Sequence, residues 1–411
     1  MRVCRYNKIS SSGLLFITIA ALFVSGSFFA ENRSFFFSYS FIATFIYCSY
    51  YRKISIIRLS TVIFAFFILL IGLITLVKVD STSGRLLIYK LSFELLKDSF
   101  PGGIGVGNYG AEIGTYQVEY FKRGDYTQKE LLLADNVGHA YNDYLELFIE
   151  LGLLGGFIIL STLFFLTWLI YVNIYKSKTF HIFQSFCLLQ LGSILTAANF
   201  TFVFARPVFQ VVFFLSITVL IYYGKLITSI CHIRGFFLTF FFVFLVVQKP
   251  RIAKALAKRD LVLINEYYKA GYFEEAVKVC KSLEYFLGND PEYLWIYANS
   301  QLENGDIKSA INITQNLLKQ QNNQLVYGLL ARSYLKDRNL AAAESAMIDA
   351  INKVPNRFVP RYQLFLFYAD QGLFEKAERE RRNILHLPIK VHSHTIDEIK
   401  QSVLTYQLNK Y

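Results

Sequence analysis

The chain has 411 residues, a net charge of +12, and a composition that is more than half hydrophobic. The charge carries no nucleic-acid-binding motif with it, and much of it sits in short loops between apolar segments, which argues against nucleic acid as a partner. The five cysteines (Cys4, Cys48, Cys187, Cys231, Cys280) form no CxxC or Cys/His cluster, which argues against disulfides and a structural zinc.

Before residue 250 several apolar runs are long enough to cross the roughly 30 Å of hydrocarbon in a bilayer. Arg2, Arg5 and Lys8 precede an apolar run at 13–30. A signal peptide cleaved near Ser25-Gly26-Ser27 is one reading of it; a membrane helix starting in the cytoplasm is preferred, because a second apolar segment follows at once. That second span covers 35–51, beyond a tight connection at Glu31-Asn32-Arg33-Ser34. Arg52, Lys53 and Arg58 mark a cytoplasmic turn, and the third span runs over 60–77. Alternation then puts the central loop, 78–138, outside.

Within the loop, Ser83 is a candidate N-cap for a helix over 85–100, with Leu87, Ile88, Leu91 and Leu95 at helical spacing. Such a helix would rest on the membrane surface, with Arg85 in its first turn. A Gly-rich run, Gly102 to Gly107, lacks the strand–turn–helix setting of a dinucleotide fingerprint, although a tightly turning backbone can approach a pyrophosphate. The fourth span is expected over 141–172, with Lys176 and Lys178 returning to the cytoplasm. Spans at 182–204 and 208–224 follow, with Arg206 in the outer turn between them. A short Phe-rich seventh span, 235–247, leads outward and leaves Lys249, Arg251, Lys254, Lys258 and Arg259 outside, against the positive-inside rule.

The tail repeats itself. Ala276, Ala310, Ala343 and Ala377 recur at spacings of 34, 33 and 34 residues, each in a Gly/Arg-x-x-x-x-Ala setting. The period and the paired helical patterns resemble tetratricopeptide repeats, solenoids with concave binding surfaces and no chemistry of their own. A protein partner on this domain is therefore expected.

Arg33, Arg85 and His139 all fall on the outer side. Both arginines also read as lipid-headgroup anchors. His139, Asp143, Glu146 and Glu150 are spaced by 4, 3 and 4, one face of the helix entering the membrane. A carboxylate one turn from the imidazole would orient it and raise its basicity; a polar stripe facing other helices is the alternative.

The order of apolar spans, Ser83-Gly84-Arg85, the Pro101 to Tyr109 glycine run, and His139-Ala140-Tyr141-Asn142-Asp143-Tyr144-Leu145 with Glu150-Leu151-Gly152 resembles the O-antigen ligase family. That family includes related polymerases and protein O-oligosaccharyltransferases. Members often read His-x-His-Asn where this chain has Tyr141 before Asn142, and commonly have ten or more spans. An amino-terminal group of helices is thus expected to be missing. The apolar runs and the repeats together are read as an all-α fold, a polytopic helix bundle of about seven spans over 1–250, followed by an α-solenoid over 251–390 and a short tail, 391–411.

The family resemblance implies an inverting glycosyl transfer at the outer face of a bacterial inner membrane, with no metal or other cofactor. The donor would be a glycan on undecaprenyl pyrophosphate; the acceptor would be lipid A-core sugar, another glycan or a protein hydroxyl. By the same resemblance Arg33 and Arg85 compensate the leaving pyrophosphate and His139 is the base. Gly103, Gly105, Gly107, Asn108, Asn142, Asp143 and Glu146 are the expected substrate-binding residues. The repeat domain is expected in the periplasm with the loop. A reading of another class is a non-catalytic membrane adaptor that anchors the repeats.

Overall fold

The structure, a computed structural model, describes residues 79–173, 182–224, 254 and 256–407. Arg33 and the spans expected at 13–30, 35–51, 60–77 and 235–247 lie outside the described residues. All regular structure among the described residues is helical. In chain order the helices are α1 (Val79–Ser99), α2 (Tyr109–Arg123), α3 (Gln128–Leu133), α4 (Asp143–Leu151), α5 (Leu153–Tyr171), α6 (Ile182–Ala197) and α7 (Pro207–Tyr223). A helical stretch at 256–269, α8, follows. Then come α9 (Phe273–Leu287), α10 (Pro291–Glu303), α11 (Ile307–Gln320), α12 (Gln324–Lys336), α13 (Leu340–Lys353), α14 (Phe358–Asp370), α15 (Phe374–His386) and α16 (His394–Thr405). They divide between two compact units, one with the described parts of Phe100–Gly103 and His139–Val243, the other with Asp80–Ser99, Ile104–Gly138 and the described part of Phe244–Tyr411.

In the first unit, the continuous span expected over 141–172 is two helices. The chain breaks at Gly152, whose φ of +58° and ψ of −135° suit glycine alone. A Cβ at Gly152 would lie 2.0 Å from the Pro101 carbonyl oxygen, and the Leu153 N–H donates to that same oxygen at 3.0 Å. The break separates polar α4, with three carboxylates, from apolar α5. α5, α6 and α7 bury a common core that includes Leu166, Leu169, Leu188, Leu191, Phe209 and Phe213. Inside it the Gln184 amide donates to Asn173 Oδ1 at 2.8 Å, and Asn173 donates to the Leu169 and Leu220 carbonyls at 2.9 and 3.0 Å. Satisfying these amides inside the core fastens the three helices to one another.

The span expected at 182–204 shortens to α6, because 198–206 is irregular chain, whereas α7 matches the span expected at 208–224 to within one residue. Among the described residues no helix is both long and apolar enough to cross a membrane. At about 1.5 Å per residue, α5 with its 19 residues rises just under the roughly 30 Å of a bilayer's hydrocarbon.

In the second unit, α1 is already helical at Val79, so Ser83 lies inside it rather than capping it. Its expected apolar face, Leu87, Leu91 and Leu95, is almost completely buried in protein and does not rest on lipid. Tyr120, Tyr109, Tyr116 and Arg123 of α2 bond to Lys90, Ser92, Asp98 and Glu94 of α1 at 2.6–2.8 Å, which fastens the two helices together.

Helices α9 to α15 are 13 to 15 residues long and meet at turns where Gly271, Gly305, Arg338 and Gly372 take positive φ. The recurring alanines 276, 310, 343 and 377 are completely buried, as close approach of neighbouring helices requires.

The loop does not stand apart from these helices. α2 lies against α11 and α13. The Gln117 amide donates to the Lys353 carbonyl at 2.5 Å, and the Asn322 amide to Thr115 Oγ1 at 3.1 Å. The Asn356 amide serves the carbonyls of Leu131, Leu132 and Ala134 at 3.0, 3.0 and 2.7 Å. Sequence reasoning treats the loop and the repeats as separate; in this unit they share one packed body. Lys254 and Lys258, two of the cations that conflict with the positive-inside rule, both reach Asp290 Oδ2 at 3.0 Å, where Asp290 caps α10.

Candidate active site around His139

Asn142 starts α4. Its Oδ1 accepts the N–H groups of Tyr144 and Leu145 at 3.1 and 3.0 Å, an N-cap that ends the preceding extended chain. His139 therefore lies outside the helix, and the expected pairing with Asp143 one turn later does not form. Glu146 takes that place. One of its oxygens lies 3.0 Å from His139 Nδ1, and the other accepts the Ala140 N–H at 2.9 Å. A carboxylate only accepts, so Nδ1 carries the proton and the neutral ring keeps its lone pair on Nε2. The hydrogen bond to Glu146 raises the His139 pKa above its ordinary 6.5, burial opposes it, and the charges of Asp143 and Glu150 reinforce it. The side chain is 38% exposed, open enough to meet a ligand.

Asp143 has a different task. Its Oδ2 accepts the N–H groups of Val203 and Phe204 at 2.8 and 3.1 Å, while its own N–H donates to the Ala198 carbonyl at 2.8 Å. The clamp fixes the 198–206 connection beside α4. Phe202 is thereby stacked on the His139 ring, centroids 4.5 Å apart and planes within 17°. Tyr141, at φ +54°, meets the Phe202 ring edge-on at 5.7 Å, and the Arg206 guanidinium carbon lies 5.7 Å from the centre of the Phe202 ring.

The other expected residues divide. Gly103, at φ +80°, faces the end of α4, where a Cβ would fall 2.4 Å from the Glu150 carbonyl oxygen. Its small size serves that close backbone passage. Gly105 and Gly107 also take positive φ, and the Asn108 amide donates to the Ile104 carbonyl at 2.9 Å to close the turn before α2. Arg85 sits about two turns into α1, partly buried, and its charge opposes the upward push of burial on Tyr89. The structure thus brings His139, Asn142, Asp143 and Glu146 together, with Asn142 and Asp143 engaged by backbone. Phe202 and Arg206 are the residues that sequence reasoning missed as site members. Arg206 left a signal, as the only charge in its turn; Phe202, one of 40 phenylalanines, left none.

No curated protein matches the chain. Residues 9–160 match the O-antigen ligase family model (Wzy_C), a stretch that holds Arg33, Arg85, His139 and Glu146 but ends before Phe202 and Arg206. That match supports the resemblance to the O-antigen ligase family over residues 9–160.

Proposed function

We propose that the chain moves a glycan from undecaprenyl pyrophosphate to an acceptor hydroxyl at the outer face of a bacterial inner membrane. The observation that carries this reading is the His139–Glu146 pair, a partly exposed imidazole whose Nδ1 is held by a carboxylate so that the lone pair stays on Nε2, inside the stretch that matches the family. The acceptor hydroxyl gives its proton to Nε2 as its oxygen attacks the anomeric carbon. The bond from that carbon to the diphosphate oxygen breaks, and the configuration inverts. Positioned bases of this kind contribute about 10²–10⁴ in rate. Arg33 and Arg85 are assigned to charge compensation at the diphosphate, which always-charged guanidinium groups supply without a metal.

Membrane residence is supported by the exposed apolar face of α5, where Phe157, Leu160 and Phe164 are 68, 69 and 78% exposed. The loop and the helical repeats pack in one unit, which supports placing both on the periplasmic side. The use of Lys254 and Lys258 within that unit supports the same placement, because these cations then need not mark a cytoplasmic flank. The regular turns and buried alanines of α9 to α15 support a tetratricopeptide-type solenoid.

A protein acceptor is the second reading. A groove lined by Trp295, Asn299, Leu325, Arg332, Val359 and Phe367 favours it, since it offers aromatic, aliphatic and amide groups to an extended chain. Transfer with purified lipid-linked donor tests the function. His139→Ala should abolish it in an inserted, folded protein, whereas Tyr141→Phe should retain most activity. Full activity in His139→Ala would remove the base, and no transfer by the unaltered chain would favour the adaptor. A reporter active only in the periplasm, fused after Tyr411, tests the topology.

A further inference from the structure

We propose that Arg206 forms an anion subsite beside His139 for the departing diphosphate of the donor, a role that rests on the transfer reaction proposed above. Three observations converge on it. The Arg206 side chain is exposed, yet its guanidinium is held over Phe202, the ring on which His139 stacks. A guanidinium over an aromatic face keeps its planar N–H fork open, and that fork matches two oxygens of a phosphate.

Its charge is also unspent. Among the described residues no carboxylate pairs with Arg206, and the acids of α4 that bear on the site are otherwise engaged. Asp143 accepts two backbone N–H groups, and Glu146 divides its oxygens between His139 and Ala140. Finally, Arg206 immediately precedes α7, a helix of 17 residues with Pro207 at its start and no side chain capping its first turn. The positive end of that helix adds to the attraction for an anion.

The chemistry requires this pairing of groups. As the acceptor oxygen attacks the anomeric carbon, its proton passes to His139 Nε2, and the electron pair of the broken C–O bond leaves on the diphosphate. In an inverting displacement nucleophile and leaving group lie on opposite sides of that carbon. Base and anion site must be near each other but separated. Phe202 provides both, with the imidazole centroid 4.5 Å and the guanidinium carbon 5.7 Å from its centre. Asp143 is then a positioning residue, because it clamps the connection that carries Phe202 and Arg206.

The test uses the full chain in lipid nanodiscs, with farnesyl diphosphate and inorganic pyrophosphate as probes. Arg206→Gln should weaken farnesyl diphosphate binding by about 10- to 100-fold, the loss expected for a charge-assisted contact. It should also weaken inhibition by pyrophosphate and raise the donor KM. Arg206→Lys should fall between, since it keeps the charge and loses the fork; it is the deciding variant if Arg206→Gln does not fold. Equal farnesyl diphosphate affinity in the unaltered and variant chains overturns the proposal. So does an effect confined to discs containing phosphatidylglycerol, compared with discs of phosphatidylcholine alone, which would make Arg206 a headgroup anchor. An unaltered chain that transfers glycan while Arg206→Gln keeps its diphosphate affinity sinks the subsite and spares the reaction. An unaltered chain that neither transfers nor binds diphosphate sinks both.

Discussion

Glu146→Gln is the sharpest probe of the site, because it changes one oxygen to an NH2 group at nearly constant volume. The carboxylate accepts from His139 Nδ1 at 3.0 Å and from the Ala140 N–H at 2.9 Å. Glutamine has a single acceptor oxygen, so it can keep only one of these bonds. If it keeps Ala140, its amide donates to Nδ1, the ring proton moves to Nε2, and the lone pair meant for the acceptor is lost. A wrong tautomer of this kind costs about 10²–10⁴ in kcat. The cost in stability is far smaller, about 1 kcal/mol, because the imidazole is more than a third exposed and solvent screens the contact.

The pH profile gives an independent reading. The base acts when neutral, so kcat/KM rises with pH through the His139 pKa, which Glu146 holds above 6.5. The rising limb should therefore lie above 6.5 in the unaltered chain and move to lower pH in Glu146→Gln. Stability from this pair runs the other way: it is present below the unfolded pKa of His139 and is lost as pH rises through the folded one. Transfer measured from about pH 5 to about pH 9 with acceptor well below its KM decides it. A variant with normal kcat and an unmoved limb would refute the assignment of His139 as an oriented base.

Three further outcomes follow from the packing. Gly152→Ala should lower the thermal midpoint in detergent by an amount corresponding to roughly 2–5 kcal/mol, from positive-φ strain and the 2.0 Å approach to Pro101; an unchanged midpoint would show that the α4–α5 break relaxes freely. Asn356→Ala strips the side-chain donor from three carbonyls, and should make residues 124–136 more sensitive to limited proteolysis at little cost to the rest of the repeats. Burial pulls the fully enclosed Lys353 ammonium down to about 7 from its ordinary 10.5, so the unfolded chain binds more protons between those values. Stability should rise with pH across that window, and Lys353→Met should flatten the rise in a pH series of melting curves.

How much of this was legible follows from where each signal sits. The 34-residue recurrence of small alanines is periodic and local, so the paired helices and their buried contacts could be read directly. The acids of α4 likewise betray themselves by spacing. That spacing does not extend to His139: Asn142 is the better helix start, and an imidazole upstream of it in extended chain reaches Glu146 instead of Asp143. Gly152 could be taken for a residue within a span because nothing local says that the Pro101 carbonyl passes against it. The seat of the loop on the repeats was hidden for another reason. It rests on neutral amides, Gln117, Asn322 and Asn356, whose partners lie more than 200 residues away.

That long separation bears on how the protein is made. The carbonyls of Leu131, Leu132 and Ala134 receive the Asn356 amide only after some 222 to 225 further residues have left the ribosome. At about 5–20 residues per second, this is a wait of roughly 11–45 s. Throughout that interval the loop has its hydrophobic face and backbone groups but lacks the surface on which it closes. The finished loop is thus a late product of synthesis. Chains that stop short of α14 should carry His139 and Glu146 intact beside a loop that never settles, so full-length synthesis itself acts as the licence for the loop to fold.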